Sequence, residues 1–262
     1  MPIRALTFAL AGALLAFRIA AQPLGLDGYR IVDLTHSYNA ETVFWPSPPT
    51  HFVLERLHFG ETPGGFFYAA NRFCMPEHGG THLDAPIHFD RAGETMERVP
   101  LERLIGPAVV IDVSEKAAAD RDYRVSAEDV LAFEAKHGRI APGTRVLVRT
   151  GWSRRWPDAT AYLGHATDAG KLHFPAYGAD AARLLVEGRQ VALLGIDTAS
   201  IDHGPAADFP VHRIAAAANV PGLENLAGLE ALPPRGATLV ALPMKIEGGS
   251  GGPTRVVALV PP

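Results

Sequence analysis

Cysteine is nearly missing from this chain: Cys74 is the only one in 262 residues, so no intrachain disulfide can form and packing must hold the fold. A lone cysteine reads as a small buried hydrophobe, and none of the site assignments below uses it. Positive charge is not in excess either. With 24 Lys and Arg against 28 Asp and Glu, scattered and not gathered into a stripe, the composition argues against a nucleic acid partner. The N-terminal apolar run, Ala5 to Phe17, is shorter than the roughly 20 residues of a bilayer-crossing helix, so stable membrane insertion is not expected. Internal repeats are absent, and after Leu24 no Ser/Gly tract is long enough to divide the chain. The glycine-rich stretch Gly248-Gly249-Ser250-Gly251-Gly252 is no phosphate loop, because it lacks the lysine and the strand-to-helix setting.

What is present is enough apolar material, 47% of residues, for one substantial core. Arg4, the run that follows it, and Ala20-Ala21-Gln22 have the layout of a signal peptide over residues 1–21. That predicts a periplasmic or secreted protein comprising residues 22–262. A short buried or amphipathic N-terminal helix, in a cytoplasmic protein, is the alternative.

Runs rich in Val, Ile and Leu, bounded by turn formers, predict strands at Tyr29–Thr35, Pro107–Val113, Thr144–Thr150, Gln190–Asp197, Ala237–Lys245 and Thr254–Val260. Ser126 followed by Asp129 predicts a capped helix ending near Gly138, and a second helix is expected from Tyr177 to Gly188. The order of strand 144–150, helix 177–187 and strand 190–197 reads as a crossover between parallel strands, so the class is mixed α/β. Trp152 to Pro175, rich in turn formers and weak in periodicity, reads as a long loop.

The densest chemistry lies in His78-Gly79-Gly80-Thr81-His82-Leu83-Asp84-Ala85-Pro86-Ile87-His88, where three imidazoles and a carboxylate share eleven residues. All four fall on even numbers, so an extended segment would project them to one side. Two glycines and Pro86 argue against a helix, and no Glu follows His78 as in the helical zinc-protease motif. Full extension would separate the alpha carbons of His78 and His82 by roughly 13 Å, near the limit for sharing one ion. The glycine pair can supply a bend. Four polar residues on the wet face of an edge strand would leave the glycines and the proline unexplained.

Further ligands have to come from elsewhere. Asp197 to His203 ends a predicted strand, with His212 and Glu224 after it, but on spacing alone His212 could be an ordinary hydrogen-bonded histidine and Glu224 a solvated charge. The remaining histidines read as surface or supporting groups, with His36, at the end of the first strand, a possible exception.

The His78–His88 run resembles the H-x-G-T-H-x-D-x-P-x-H motif of the cyclase-like metal-dependent hydrolases, a family that includes bacterial kynurenine formamidases and isatin hydrolases. Asp33-Leu34-Thr35-His36, Trp45-Pro46, Gly195-Ile196-Asp197 with Ser200 and Asp202, His212-Arg213, Leu223-Glu224-Asn225-Leu226 and Pro243-Met244-Lys245-Ile246 follow in family order. The resemblance implies a swivelling β-barrel-like α/β core, and homodimers or higher oligomers. It implies His78, His82 and Asp84 as ligands of a first metal, with Asp84 able to bridge, and His212 and Glu224 as ligands of a second. His88 takes the place of the acid/base histidine; the alternatives for it are a further ligand or a group that orients one.

Nitrogen and carboxylate donors without thiolate suit zinc or manganese, one or two ions per subunit. Phe44 and Trp45, with Phe66, Phe67 and Tyr68 nearby in sequence, offer flat surface for a small aromatic amide, although such aromatics are more often core. Ser250 is a third candidate for substrate contact, since the glycines around it would let backbone approach the site. The expected activity is hydrolysis of a carbon–nitrogen bond in an aryl formamide of the N-formylkynurenine type or in an isatin-like ring, with the formamide the broader description. The rival from another class is a secreted metal or ligand binder without turnover.

Overall fold

The computed structural model describes residues 25–47 and 51–262; the expected export segment, residues 1–21, lies outside them. The strands are β1 (Arg30–Asp33), β2 (Val53–Glu61), β3 (Phe67–Cys74), β4 (His82–Asp84), β5 (Ile105–Asp112), β6 (Arg124–Val125), β7 (Arg145–Arg149), β8 (Ala176–Tyr177), β9 (Leu193–Ile196), β10 (Gly222–Glu224), β11 (Arg235–Pro243) and β12 (Gly251–Val260). The helices are α1 (Leu101–Leu104), α2 (Ser114–Ala119), α3 (Ala127–His137), α4 (Ala159–Leu163), α5 (Ala179–Arg189) and α6 (Pro210–Ala217).

Eight strands form one sheet in the order β1-β12-β11-β5-β7-β9-β10-β4, and β4 pairs again with β12, so every strand of it but β1 belongs to a closed barrel. The expected mixed α/β, barrel-like class is what is found. Alternation along the strands divides the apolar residues into two layers. Leu83, Val110, Leu147, Leu193, Leu223, Leu239 and Ala258 meet inside the barrel. Val109, Ile111, Val146, Val148, Leu194 and Ile196 face outward and are covered by α3, α5 and α6. Leu147, Leu193, Leu223 and Leu239 are fully buried, each contributing about 2 kcal/mol of transfer free energy.

Each predicted strand and helix has its counterpart within a few residues. Ser126 and Asp129 form the reciprocal cap of α3, and β7 and β9 are parallel neighbours joined through α5. Two expectations are corrected. Trp152 to Pro175 is not an open loop: it contains a 3-10 turn, Trp152–Arg155, and α4, and it buries Trp152, Tyr162, Leu163, Leu172 and Phe174 in a third apolar cluster. Its helical pieces are too short to display a period. Cys74 is exposed, at the end of β3, and is no buried hydrophobe.

The β2–β3 hairpin went unforeseen because its apolar residues, Val53, Leu54, Leu57 and Phe59, do not alternate, and a bulge between Arg56 and His58 breaks the register. Phe66, Phe67 and Tyr68 lie at its far end, exposed. No helix among the described residues is long and apolar enough to cross a membrane.

Candidate active site

Strand β4 is only three residues long, yet it closes the barrel, lying antiparallel between β10 and β12. Its pleat sends Leu83 into the barrel core and His82 and Asp84 to the opposite face. The even-numbered spacing therefore works for these two, while His78 and His88 reach the same place by other means. Gly80 bends the chain with φ +60°, a left-handed conformation, and a Cβ there would stand 2.4 Å from the Tyr38 ring. That bend brings His78 Nδ1 to 2.7 Å from Asp84 Oδ1. Pro86 opens a 3-10 turn, Pro86–His88, which returns His88 to the site, with its ring stacked on His78 at 3.8 Å.

The distant ligand candidates arrive through strand pairing. Glu224 stands directly opposite His82 in the β4–β10 register, so the two share a face and Glu224 Oε2 lies 3.5 Å from His82 Nε2. Asp84 faces Gly222 on one side and Gly251 on the other, which leaves its carboxylate room. His212, on α6, places Nε2 3.1 Å from Asp84 Oδ2 and 3.3 Å from Glu224 Oε1. His78, His82 and Asp84 thus form one cluster of donor atoms, and Asp84, His212 and Glu224 a second, with Asp84 common to both. Glu224 is a buried strand residue, not a solvated charge.

These donors are suited to a divalent cation. His82 and His212 each give Nδ1 to an acceptor, the Gly80 carbonyl at 2.9 Å and Asp202 Oδ2 at 2.7 Å, so Nε2 is the nitrogen turned toward the carboxylates. Burial opposes charge on His82, but Asp84, Glu224 and the Gly80 carbonyl outweigh it and raise its pKa to about 9. Burial likewise opposes charge on His212, yet hydrogen bonds to Asp202, Asp84 and Glu224 lift it well above the usual imidazole range. Asp84 is held well below the carboxylate range, His78 and His82 overcoming its desolvation. The pocket is built to attract positive charge between its carboxylates, and its nitrogen and oxygen atoms without sulfur match the expected metal chemistry.

Above the clusters opens a cavity of about 760 Å³. Phe44 and Trp45 line it, together with Phe89 and Phe209. Phe209 adopts φ +47°, unusual for a bulky residue, where α6 begins; its ring lies 6.0 Å from Trp45 and 5.3 Å from Phe89. Phe66, Phe67 and Tyr68, expected near this surface, do not line the cavity, because the hairpin carries them away from it. Ser250 Oγ lies 2.9 Å from His78 Nε2, on the side of that ring away from Asp84. His88 also lines the cavity. Among the described residues its ring nitrogens have no hydrogen-bond partner, and burial pushes its pKa down to about 4. His36 does not join the clusters; it stacks on Trp156 at 4.3 Å.

Sequence reasoning missed the residues that hold these groups in place. Asp202 receives His212 Nδ1 and also the backbone N–H groups of Val211 and His212, fixing the start of α6 and the ring together. Asn225 donates to the Gly80 carbonyl at 2.8 Å and accepts from Tyr162 at 2.9 Å, which ties α4 to the bend before β4. The only available signal was the place of Asp202 and Asn225 inside matched blocks. Asp202→Asn is expected to weaken metal binding at the His212 cluster by about 10–100-fold. Titration of the chelator-stripped protein with Mn²⁺ or Zn²⁺ would show it, and unchanged affinity would remove Asp202 from this role.

Residues 32–203 match the model of the Cyclase family ("Putative cyclase"). An isatin hydrolase of Roseibium aggregatum is 39% identical over 205 residues, 75% of this chain and 77% of that protein. A kynurenine formamidase of Salinibacter ruber is 29% identical over 231 residues, 87% of this chain and 96% of that one. Among solved structures, isatin hydrolase A from Ralstonia solanacearum superposes with a TM-score of 0.84 at 35% identity, covering 92% of this chain and 99% of its own. A protein described as a potential metal-dependent hydrolase with cyclase activity gives 0.64 at 26% identity, over 88% and 98% of the two chains.

Proposed function

The chain belongs to the Cyclase family, and from that premise we propose that it is a metal-dependent amidohydrolase whose preferred substrate is a small, uncharged cyclic aromatic amide of the isatin type. The carrying observation is the pair of donor clusters sharing Asp84 at the floor of an aromatic cavity whose lining, among the described residues, contains no Lys or Arg. N-Formylkynurenine bears an amino-acid group, and holding its carboxylate in an apolar cavity without a cationic partner would be costly. An isatin-like ring imposes no such demand. The relatives named for isatin hydrolysis point the same way.

A bound divalent ion would polarise the amide carbonyl and acidify water. His78, His82 and Asp84 would hold one such ion, and Asp84, His212 and Glu224 a second, zinc or manganese by donor type. Phe44, Trp45, Phe89 and Phe209 offer flat apolar faces against which a planar ring would pack, excluding water. His88, neutral at pH 7 because burial lowers its pKa to about 4, has ring nitrogens free to take a proton from attacking water and return it to the departing nitrogen. After chelation, hydrolysis of isatin and N-formylkynurenine should be compared with zinc or manganese added back. A higher kcat/KM for isatin is expected; preference for the formyl amide would overturn this ranking.

A second copy of the chain is the natural cover for the hairpin. Val53, Leu54, Leu57, Phe59, Phe66, Phe67, Tyr68 and Phe73 are all more than two-fifths exposed there. A standard interface buries roughly 800 Å² on each side, and eight large apolar side chains this exposed offer an area of that order. A lone two-stranded hairpin is marginal in water. Sedimentation should report a homodimer or larger assembly that Phe59→Glu shifts toward monomer; a monomeric parent would refute this.

A further inference from the structure

His78 is presented to the site in the opposite sense from its two partners. His82 and His212 donate from Nδ1 and turn Nε2 toward the carboxylates. His78 instead has Nδ1 at 2.7 Å from Asp84 Oδ1 and Nε2 at 2.9 Å from Ser250 Oγ. For Nδ1 to offer a lone pair to an ion, the ring proton must reside on Nε2, so the group facing Nε2 has to accept it. A serine hydroxyl can donate or accept, and its other partner decides which.

That partner is Glu77. Its Oε2 lies 2.7 Å from Ser250 Oγ and 3.0 Å from the Ser250 backbone nitrogen. A carboxylate only accepts, so the single hydroxyl proton of Ser250 is committed to Glu77, and an Oγ lone pair is left for the Nε2–H of His78. The other restraints on His78 fix its plane but not its tautomer: the His88 ring stacks on it, and Gly251 packs so tightly that an added Cβ would stand 2.5 Å from the imidazole. His78 needs such restraint more than the others do. It sits in a bend and not on a strand or helix, and its side chain is 25% exposed against 3% for His82 and 7% for His212.

We propose that Glu77 is a positioning residue of the metal centre, acting through Ser250 to set the tautomer and orientation of His78 so that Nδ1 is the nitrogen offered to the ion. The assignment rests on the metal reading above. It also gives the glycine-rich segment a purpose, since residues 77 and 250 are 173 positions apart and only the close approach at Gly249 and Gly251 lets them meet.

The test uses the full chain, stripped by chelation and titrated with Mn²⁺ and Zn²⁺ against a competing indicator, alongside melting of the metal-free protein. Ser250→Ala and Glu77→Gln should each weaken binding by about 10–100-fold, with little change in metal-free melting. The Gln amide can donate to Oγ, which frees the hydroxyl to point at Nε2 and favours the wrong tautomer. The double variant should bind no more weakly than the worse single one, because Glu77 acts only through Ser250, and Ser250→Thr, which keeps the hydroxyl, should restore most of the affinity. Full affinity in Glu77→Gln, multiplicative losses in the double variant, or lowered metal-free melting with unchanged affinity would each overturn the proposal. A parent protein that binds neither ion would instead sink the metal reading itself.

Discussion

Replacing Asp84 by alanine is expected to abolish turnover, with kcat/KM falling by about 10³-fold or more, roughly 4 kcal/mol of transition-state stabilisation, and to strip metal from both clusters together. The reason is geometric. One oxygen of Asp84 lies 2.7 Å from His78 and 3.2 Å from His82, and the other 3.1 Å from His212, so a single carboxylate is common to two sets of candidate ligands. No neighbour can replace it: the residues opposite on both adjacent strands, Gly222 and Gly251, have no side chains. Asp84→Asn keeps the shape and separates loss of charge from loss of packing. Elemental analysis of both variants measures the outcome directly. Full metal retention in either would mean that Asp84 is not a shared ligand.

His88→Ala should cost about 10²–10⁴ in kcat while leaving metal content as in the parent. His88 is not part of either donor cluster, yet its ring stacks 3.8 Å from His78 and stands 6.0 Å from His212, on the wall of the cavity above the clusters. The three other imidazoles of the site each have a ring nitrogen committed to a fixed partner, whereas His88 has no ring hydrogen bond among the described residues, which leaves its nitrogens for proton transfer. This variant also separates an enzyme from a metal-holding protein without turnover, which has no use for a proton carrier. Unchanged hydrolysis would take the acid/base role from His88, and loss of metal would make it a ligand or a ligand's support.

Much of the centre was legible locally. The alternation of His82, Leu83 and Asp84 sends donors to one face and an apolar side chain to the other, and that pattern is a property of three consecutive residues in an extended chain. The glycines before it signalled a bend, and Gly80 makes one. By contrast, nothing in the spacing of His212 and Glu224 marks them as ligands. Only the resemblance placed them beside Asp84, and only the register that sets Glu224 against His82 shows how they get there.

The chain by itself determined five of the seven barrel strands, β5, β7, β9, β11 and β12, the helices α3 and α5, and the short motif that brings donor atoms together, because periodicity and capping act between residues a few positions apart. The fold alone decided that Asp84 is common to two clusters, that Asp202 meets the His212 imidazole and Glu77 the Ser250 hydroxyl beside His78, and that the aromatics of the hairpin turn away from the cavity while Phe89 and Phe209 line it. Those outcomes depend on strand order, register and close backbone approach between segments more than a hundred residues apart, and no local pattern encodes such meetings.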